Sequence, residues 1–167
     1  VLRAGEILVH SAPDATRRHP PRPLRVRTAE GTVRAIGTRF TVRQQGGQTA
    51  VAVLEGAVEL TPAHAPHTAR RLSAGEQGRF TTTAASPPAP LREGAAAWAD
   101  GMLVADDMPL PDFLAELARH RPGVLRCAPG AAGLRVSGSY PLADTDRVLA
   151  ALTLSLPVQV RSRTRWW

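Results

Sequence analysis

The sequence predicts an α+β protein: an N-terminal all-β antiparallel domain followed by a small β-α-β-β-α-β two-layer sandwich. Three observations carry this. Residues 1–83 fall into short runs rich in β-branched residues, most of them bounded by Gly or Pro. From residue 98 onward the apolar spacing changes to a helical period. Between the two lies AASPPAPLREGAAA (84–97), poor in large apolar residues and rich in proline, which reads as a semi-rigid extended linker.

In the first domain, EILVH (6–10), LRVRT (24–28), TVRAI (32–36), TRFTVR (38–43), TAVAVLE (49–55) and AVELT (57–61) each read as a strand. QQGGQ (44–48) is the strongest hairpin signal, because paired glycines supply the positive φ angles of a tight turn. Ala52, Leu54, Val58 and Leu60 share one parity and leave Glu55 and Glu59 on the other, as in a sheet with one wet face. LSAGEQGRFTT (72–82) adds a turn and a last strand. One stretch breaks the rule. In VRAIGTRFTVR the apolar residues sit first on odd positions (Val33, Ala35), then on even ones (Ile36, Phe40, Val42). Side chains alternate strictly along a strand, so the switch predicts a bulge centred near Gly37.

In the second domain, Leu110, Phe113, Leu114, Leu117 and Ala118 follow helical spacing, with Pro111 in the first turn and Pro122 as the stop. A second helix is expected over 144–153, capped by Asp144 and turning Val148, Leu149 and Leu152 inward. GMLVA (101–105), GVLRCA (123–128), LRVSGSY (134–140) and PVQVRSR (157–163) are the expected strands.

Composition bounds the function. The chain has 167 residues, is 43 % hydrophobic and carries a net charge of +7, its basic residues all being arginine. Residues 1–90 hold 12 Arg against 6 acids and residues 91–167 hold 9 against 8, so the excess lies in the first domain. A basic patch can steer an acidic partner, an anionic membrane surface or nucleic acid. No run of 18 apolar residues is present, and the sequence opens without methionine or a leader, which reads as a piece of a longer protein. The single Cys127 excludes an internal disulfide and a zinc ribbon and is expected in the core.

His64 and His67 in TPAHAPHTA lack a third ligand nearby, so no metal is expected there. Asp106-Asp107 is expected to form a turn before the helix rather than a carboxylate pair. Arg161, Arg163 and Arg165 alternate along a predicted strand before Trp166-Trp167; a solvated face accounts for this better than a nucleic-acid clasp. There is no phosphate-cradling loop and no nucleophile elbow, so a conventional enzyme and a bound cofactor are not expected.

LRAGEILVH, RPLRVRTAEGTVRAIGTRFTVR, VAVLEGAVEL and LSAGEQGRF resemble the FecR family of transmembrane anti-sigma regulators. WADGMLVADDMPLPDFLAELARHRPG and LRVSGSYPLADTDRVLAALTLSLPVQV look like that family's C-terminal module, itself similar to the secretin/TonB short N-terminal domain. The resemblance implies the periplasmic part of a bacterial inner-membrane protein. It would bind the N-terminal signalling domain of a TonB-dependent receptor, commonly one importing ferric siderophores. It would relay the receptor's state to an extracytoplasmic-function sigma factor through a cytoplasmic segment, and reach the membrane through a helix, both absent from this sequence. The strands that precede LRAGE in the family are also absent, so residues 1–83 are expected to be N-terminally incomplete. Two readings from other classes stay open: a basic nucleic-acid-binding domain and a structural adaptor of an envelope transport complex.

Two candidate sites follow. A receptor domain could add a strand at an exposed sheet edge, and Leu134, Arg135 and Val136 are the candidate contacts. Some family members break themselves at a Gly-Thr bond in this motif, which makes Gly37-Thr38 the candidate scissile bond in a chain otherwise without catalytic groups.

Overall fold

The structure, a computed structural model, describes residues 1–11, 23–35 and 37–161. Its sheets are antiparallel and it carries two α-helices, the α+β class predicted. The chain divides into two compact units, residues 1–92 and 93–167.

The first unit is a sandwich of two sheets. One has the order β1 (Gly5–His10), β4 (Arg39–Gln45), β5 (Gln48–Glu55), β8 (Glu76–Phe80), β9 (Ala89–Pro90). The other runs β2 (Leu24–Arg27), β3 (Gly31–Ala35), β6 (Ala57–Pro62), β7 (Arg70–Ser73). Their inner faces share one core of Val26, Val33, Ala35, Phe40, Val42, Val51, Val53, Val58, Leu60, Leu72 and Phe80. Gly46 and Gly47 (φ 60° and 75°) close the β4–β5 hairpin, as the paired glycines require.

After β2 the chain crosses from one sheet to the other at three further places in this unit, and these crossings explain the broken alternation. β3 and β4 are not one bulged strand. They belong to different sheets, and the parity changes at Gly37 because the strand after it must turn its apolar side to the same core from the opposite layer. The bulge itself lies elsewhere: Arg39 pairs with Glu55 but Phe40 with Val53, leaving Leu54 of β5 as the extra residue. Gly56 is a second crossing, from β5 to β6. It reverses the expected phase of β5, whose core residues are Val51 and Val53 rather than Ala52 and Leu54. Gly75 (φ 81°) marks the third, between β7 and β8.

The expected linker does not run free. Ala85 bridges Phe80, Ala89 and Pro90 pair with Gln77 and Glu76, and Ser86 and Leu91 donate main-chain bonds to Arg79 and Gly75. Proline lacks an N–H, so this segment can only be an edge strand, and it covers the open side of β8.

In the second unit, β10 (Met102–Pro109) pairs with β11 (Arg135–Pro141). Helices α1 (Leu110–Ala118) and α2 (Thr145–Ser155) pack Phe113, Leu117, Val148, Leu149 and Leu152 into a core with Ala105 and Val136. The Asp144 carboxylate accepts from the Arg147 N–H at 2.9 Å, the expected cap. Among the described residues the two outer strands do not form: neither 123–128 nor the described part of 157–163 carries a ladder. In 123–128 the alternation is a correct report of burial only, since Leu125 and Cys127 pack on the core while Val124 is exposed; in the second segment it is not, because Val158 packs on the core and Val160, of the same parity, is exposed.

Candidate functional site

The Gly37-Thr38 crossing is built by close packing of two corners. Gly37 adopts φ 61°, a left-handed conformation that costs a side-chain-bearing residue energy. Thr38 is 1 % exposed. Gly56 stacks on it so tightly that a Cβ at Gly56 would lie 2.7 Å from the Gly37 carbonyl oxygen and 2.7 Å from Thr38 Cγ2. Ser11, just beyond β1, clasps the corner from the other side. Its N–H donates to the Thr38 carbonyl at 2.9 Å, and the Thr38 N–H donates to Ser11 Oγ at 3.1 Å. Ser11 Oγ is also 3.4 Å from Thr38 Oγ1. Among the described residues no carboxylate or imidazole bonds to Thr38, so the hydroxyl has serine, not a strong base, as its neighbour. Sequence reasoning missed Ser11 and Gly56. Nothing local marks a serine 27 positions away, whereas a glycine between two acid-bearing strands, LEGAVE, could have been read as another crossing.

At the other end of β3 sits a charged group that sequence reasoning also missed. Glu30, only 3 % exposed, accepts from Thr49 Oγ1 at 2.8 Å and from Gln44 Nε2 at 3.2 Å, while its carbonyl accepts from the Ala63 N–H. Burial pushes its carboxyl up, but the bonds from Thr49, Gln44, its own backbone and Thr28 outweigh this and hold it below the ordinary glutamate value. This is a structural anchor joining both sheets rather than an acid or base facing solvent.

The three receptor-contact candidates fall together at the start of β11 but play different roles. Val136 is 3 % exposed and belongs to the core, so its side chain is not available to a partner. Leu134 is half-buried and its carbonyl accepts from the Leu110 N–H. Arg135 clamps Asp107, its Nε lying 2.8 Å from Oδ2 and 3.0 Å from the carbonyl oxygen. That clamp corrects the reading of Asp106-Asp107. They form a bulge inside β10, between the Ala105 and Met108 pairings, with Asp107 at φ 44° and its N–H bonded to Ser137 Oγ. Beyond β11 no further strand is hydrogen-bonded among the described residues, so one edge of this sheet is open.

The remaining candidates stay apart. His64 and His67 are exposed, and among the described residues no three His, Cys, Asp or Glu side chains gather as a metal site. Arg163, Arg165 and the terminal tryptophans lie outside the described residues, and Arg161 is exposed in irregular chain. No described helix is long and apolar enough to cross a membrane.

Residues 1–59 match the family described as FecR protein, which bears out the resemblance over that segment. No curated protein matches the chain. The fold is similar to two crystal structures of a candidate anti-sigma factor from Parabacteroides distasonis ATCC 8503, at 2.50 and 1.65 Å resolution. Their TM-scores are 0.71 and 0.68; each alignment is 23 % identical and covers 96 % of this chain and 74 % of the other.

Proposed function

We propose that this chain is the periplasmic sensing region of an inner-membrane anti-sigma regulator. In this reading the second unit binds the N-terminal signalling domain of a TonB-dependent receptor, such as one for ferric siderophores. A cytoplasmic segment of the same protein would answer to an extracytoplasmic-function sigma factor. The FecR match and the shared fold support the regulator class, and the open edge of β11 is the observation that carries the binding mode. An edge offers main-chain donors and acceptors in a row, and an incoming strand satisfies them with alternate side chains setting specificity. Arg135 stands at the first position of that edge and is 54 % exposed, so its charge is within reach of a partner. Calorimetric titration with the receptor's signalling domain should give saturable binding, weakened about tenfold by Arg135→Glu and by Leu134→Glu. Wild-type affinity in both variants would retire the reading.

We further infer that the Gly37-Thr38 bond can break itself, on the observation that the left-handed turn and the Ser11 clasp fix the Thr38 hydroxyl next to its own peptide bond. Thr38 Oγ1 would attack the Gly37 carbonyl carbon as its proton passes to the Thr38 nitrogen; the C–N bond breaks and an ester forms. Water then hydrolyses the ester, leaving a Gly37 carboxylate and restoring the hydroxyl on a free Thr38 amine. With Thr38 buried, water entry is the slow step. The halves would stay together, since β1 pairs with β4 and β3 with β6 across the break. A denaturing gel should therefore show two bands where native size-exclusion shows one species, and Thr38→Ala should give a single band. Intact wild-type chain after long incubation would refute it.

A further inference from the structure

The two sheets of the first unit treat their surface charges differently, and the four-stranded sheet does so at a cost. On its outer face one cross-strand row reads Arg25, Arg34, Glu59, Arg71: Arg25 is paired with Arg34, Arg34 with Glu59 and Glu59 with Arg71. Arg27 stands two residues along β2 on the same face. All five side chains are exposed, and among the described residues none is in an ion pair. Like charges directly opposite one another destabilise a sheet. The outer face of the five-stranded sheet avoids this: Glu6 is opposite Arg43, and Arg39 is opposite Glu55 in an ion pair at 3.8 Å. A row in which Arg25 and Arg34 face each other and one glutamate stands among three arginines is a local conflict that an outside anion would resolve.

We propose that the outer face of the β2-β3-β6-β7 sheet docks on anionic phospholipid headgroups. The rest of that face decides among anionic partners. Between the charges lie Thr32, Ala57, Thr61 and Ser73, with no large apolar or aromatic side chain among the described residues of this face. A protein partner needs apolar or aromatic anchors at the centre of its interface, which these residues do not offer. Single-stranded nucleic acid needs aromatic platforms, and the phenylalanines of this unit, Phe40 and Phe80, are buried in its core. A membrane surface needs neither. It presents many phosphates, so a row of guanidinium groups on strands roughly 4.8 Å apart can meet it by electrostatics alone. Each arginine near such a surface contributes about a fivefold gain in partition, lost as salt screens it.

Vesicle co-sedimentation tests this with the intact chain. It should bind vesicles containing phosphatidylglycerol at low salt, and neither pure phosphatidylcholine vesicles nor the anionic ones at 0.5 M salt. Arg25→Gln with Arg34→Gln should reduce binding roughly 25-fold. The same pair should leave the melting temperature unchanged or raised, since it removes like-charge repulsion; a merely structural pair would lower it. Glu59→Gln should tighten binding about fivefold. Arg79→Gln with Arg126→Gln, the same net change elsewhere, should have a much smaller effect. The proposal is overturned by absence of binding to anionic vesicles at low salt. Equal loss in both double variants would also overturn it, as would arginine-row-dependent binding to an acidic polypeptide or oligonucleotide without binding to vesicles.

Discussion

The two units bury their cores by different means. In the first, both walls are hydrogen-bonded sheets, and every core side chain hangs from a strand paired on at least one side. In the second, a two-stranded sheet and two helices make the frame, and segments around Leu125 and Val158 complete the cover without ladders. Over 123–128 the alternation of apolar residues therefore reports which side chains face inward, not whether the backbone that carries them is paired. The lesson concerns stability as well. Where a core is closed by unpaired segments, each buried aromatic carries a larger share of the whole.

Phe113→Ala should have the largest effect. Phe113 is fully buried and meets Tyr140 edge-on, with ring centroids 4.9 Å apart. Its loss should cost about 3–5 kcal/mol, enough to unfold a small unit while the first stays folded. Amide exchange should show protection lost across β10, β11 and both helices but kept in β4 and β5. Uniform loss over both units would erase the distinction drawn between them. Gly56→Ala probes the first unit in the same way. The new Cβ meets the Gly37 carbonyl and Thr38 in a left-handed residue, so about 2–4 kcal/mol is expected, read as a lowered denaturant midpoint.

How legible was this in the sequence? The strands of the first unit and the two helices could be read because local periodicity and turn residues specify them. The sheet crossings could not. A crossing and a bulge both change parity, and only the three-dimensional fact that β3 and β4 lie in different layers separates them. The missing outer strands fail for the opposite reason. In 123–128 the alternation is real, but pairing depends on a neighbour that the local sequence does not encode. Of the candidate site, Gly37-Thr38 was visible as a discontinuity, while Ser11 and Glu30 were not, because their partners are far along the chain. Val136 was chosen as a surface contact because period-two patterning does not say which face of β11 is wet.

Glu30 sharpens the account of the first unit. Its folded carboxyl titrates below the unfolded value of about 4.3, so the charged form adds stability above that pH. The contribution fades as pH falls through the lower, folded value. Glu30→Gln removes the charge but keeps the shape, and should cost about 1–3 kcal/mol at neutral pH. It should also flatten the acid limb of a plot of stability against pH. A variant as acid-sensitive as wild type would place that limb's origin elsewhere.

The smallest effect belongs to the second unit and tests whether its helices lean on local signals or on packing. Asp144 caps α2 through one bond to the Arg147 N–H, and Asp146 in the first turn meets Arg121 at 2.9 Å while itself 83 % exposed. A cap satisfies a donor that helix geometry leaves orphaned, whereas an exposed ion pair is screened by water. Asp144→Ala should therefore cost about 1 kcal/mol and Asp144→Asn little, because the amide oxygen still accepts the bond. Asp146→Ala should fall within about 1 kcal/mol and shrink further in salt. If Asp144→Ala cost nothing while Asp146→Ala cost more, α2 would be held by its charge to Arg121 rather than by its cap. If neither substitution cost stability, the buried face of Val148, Leu149 and Leu152 would be the helix's main support.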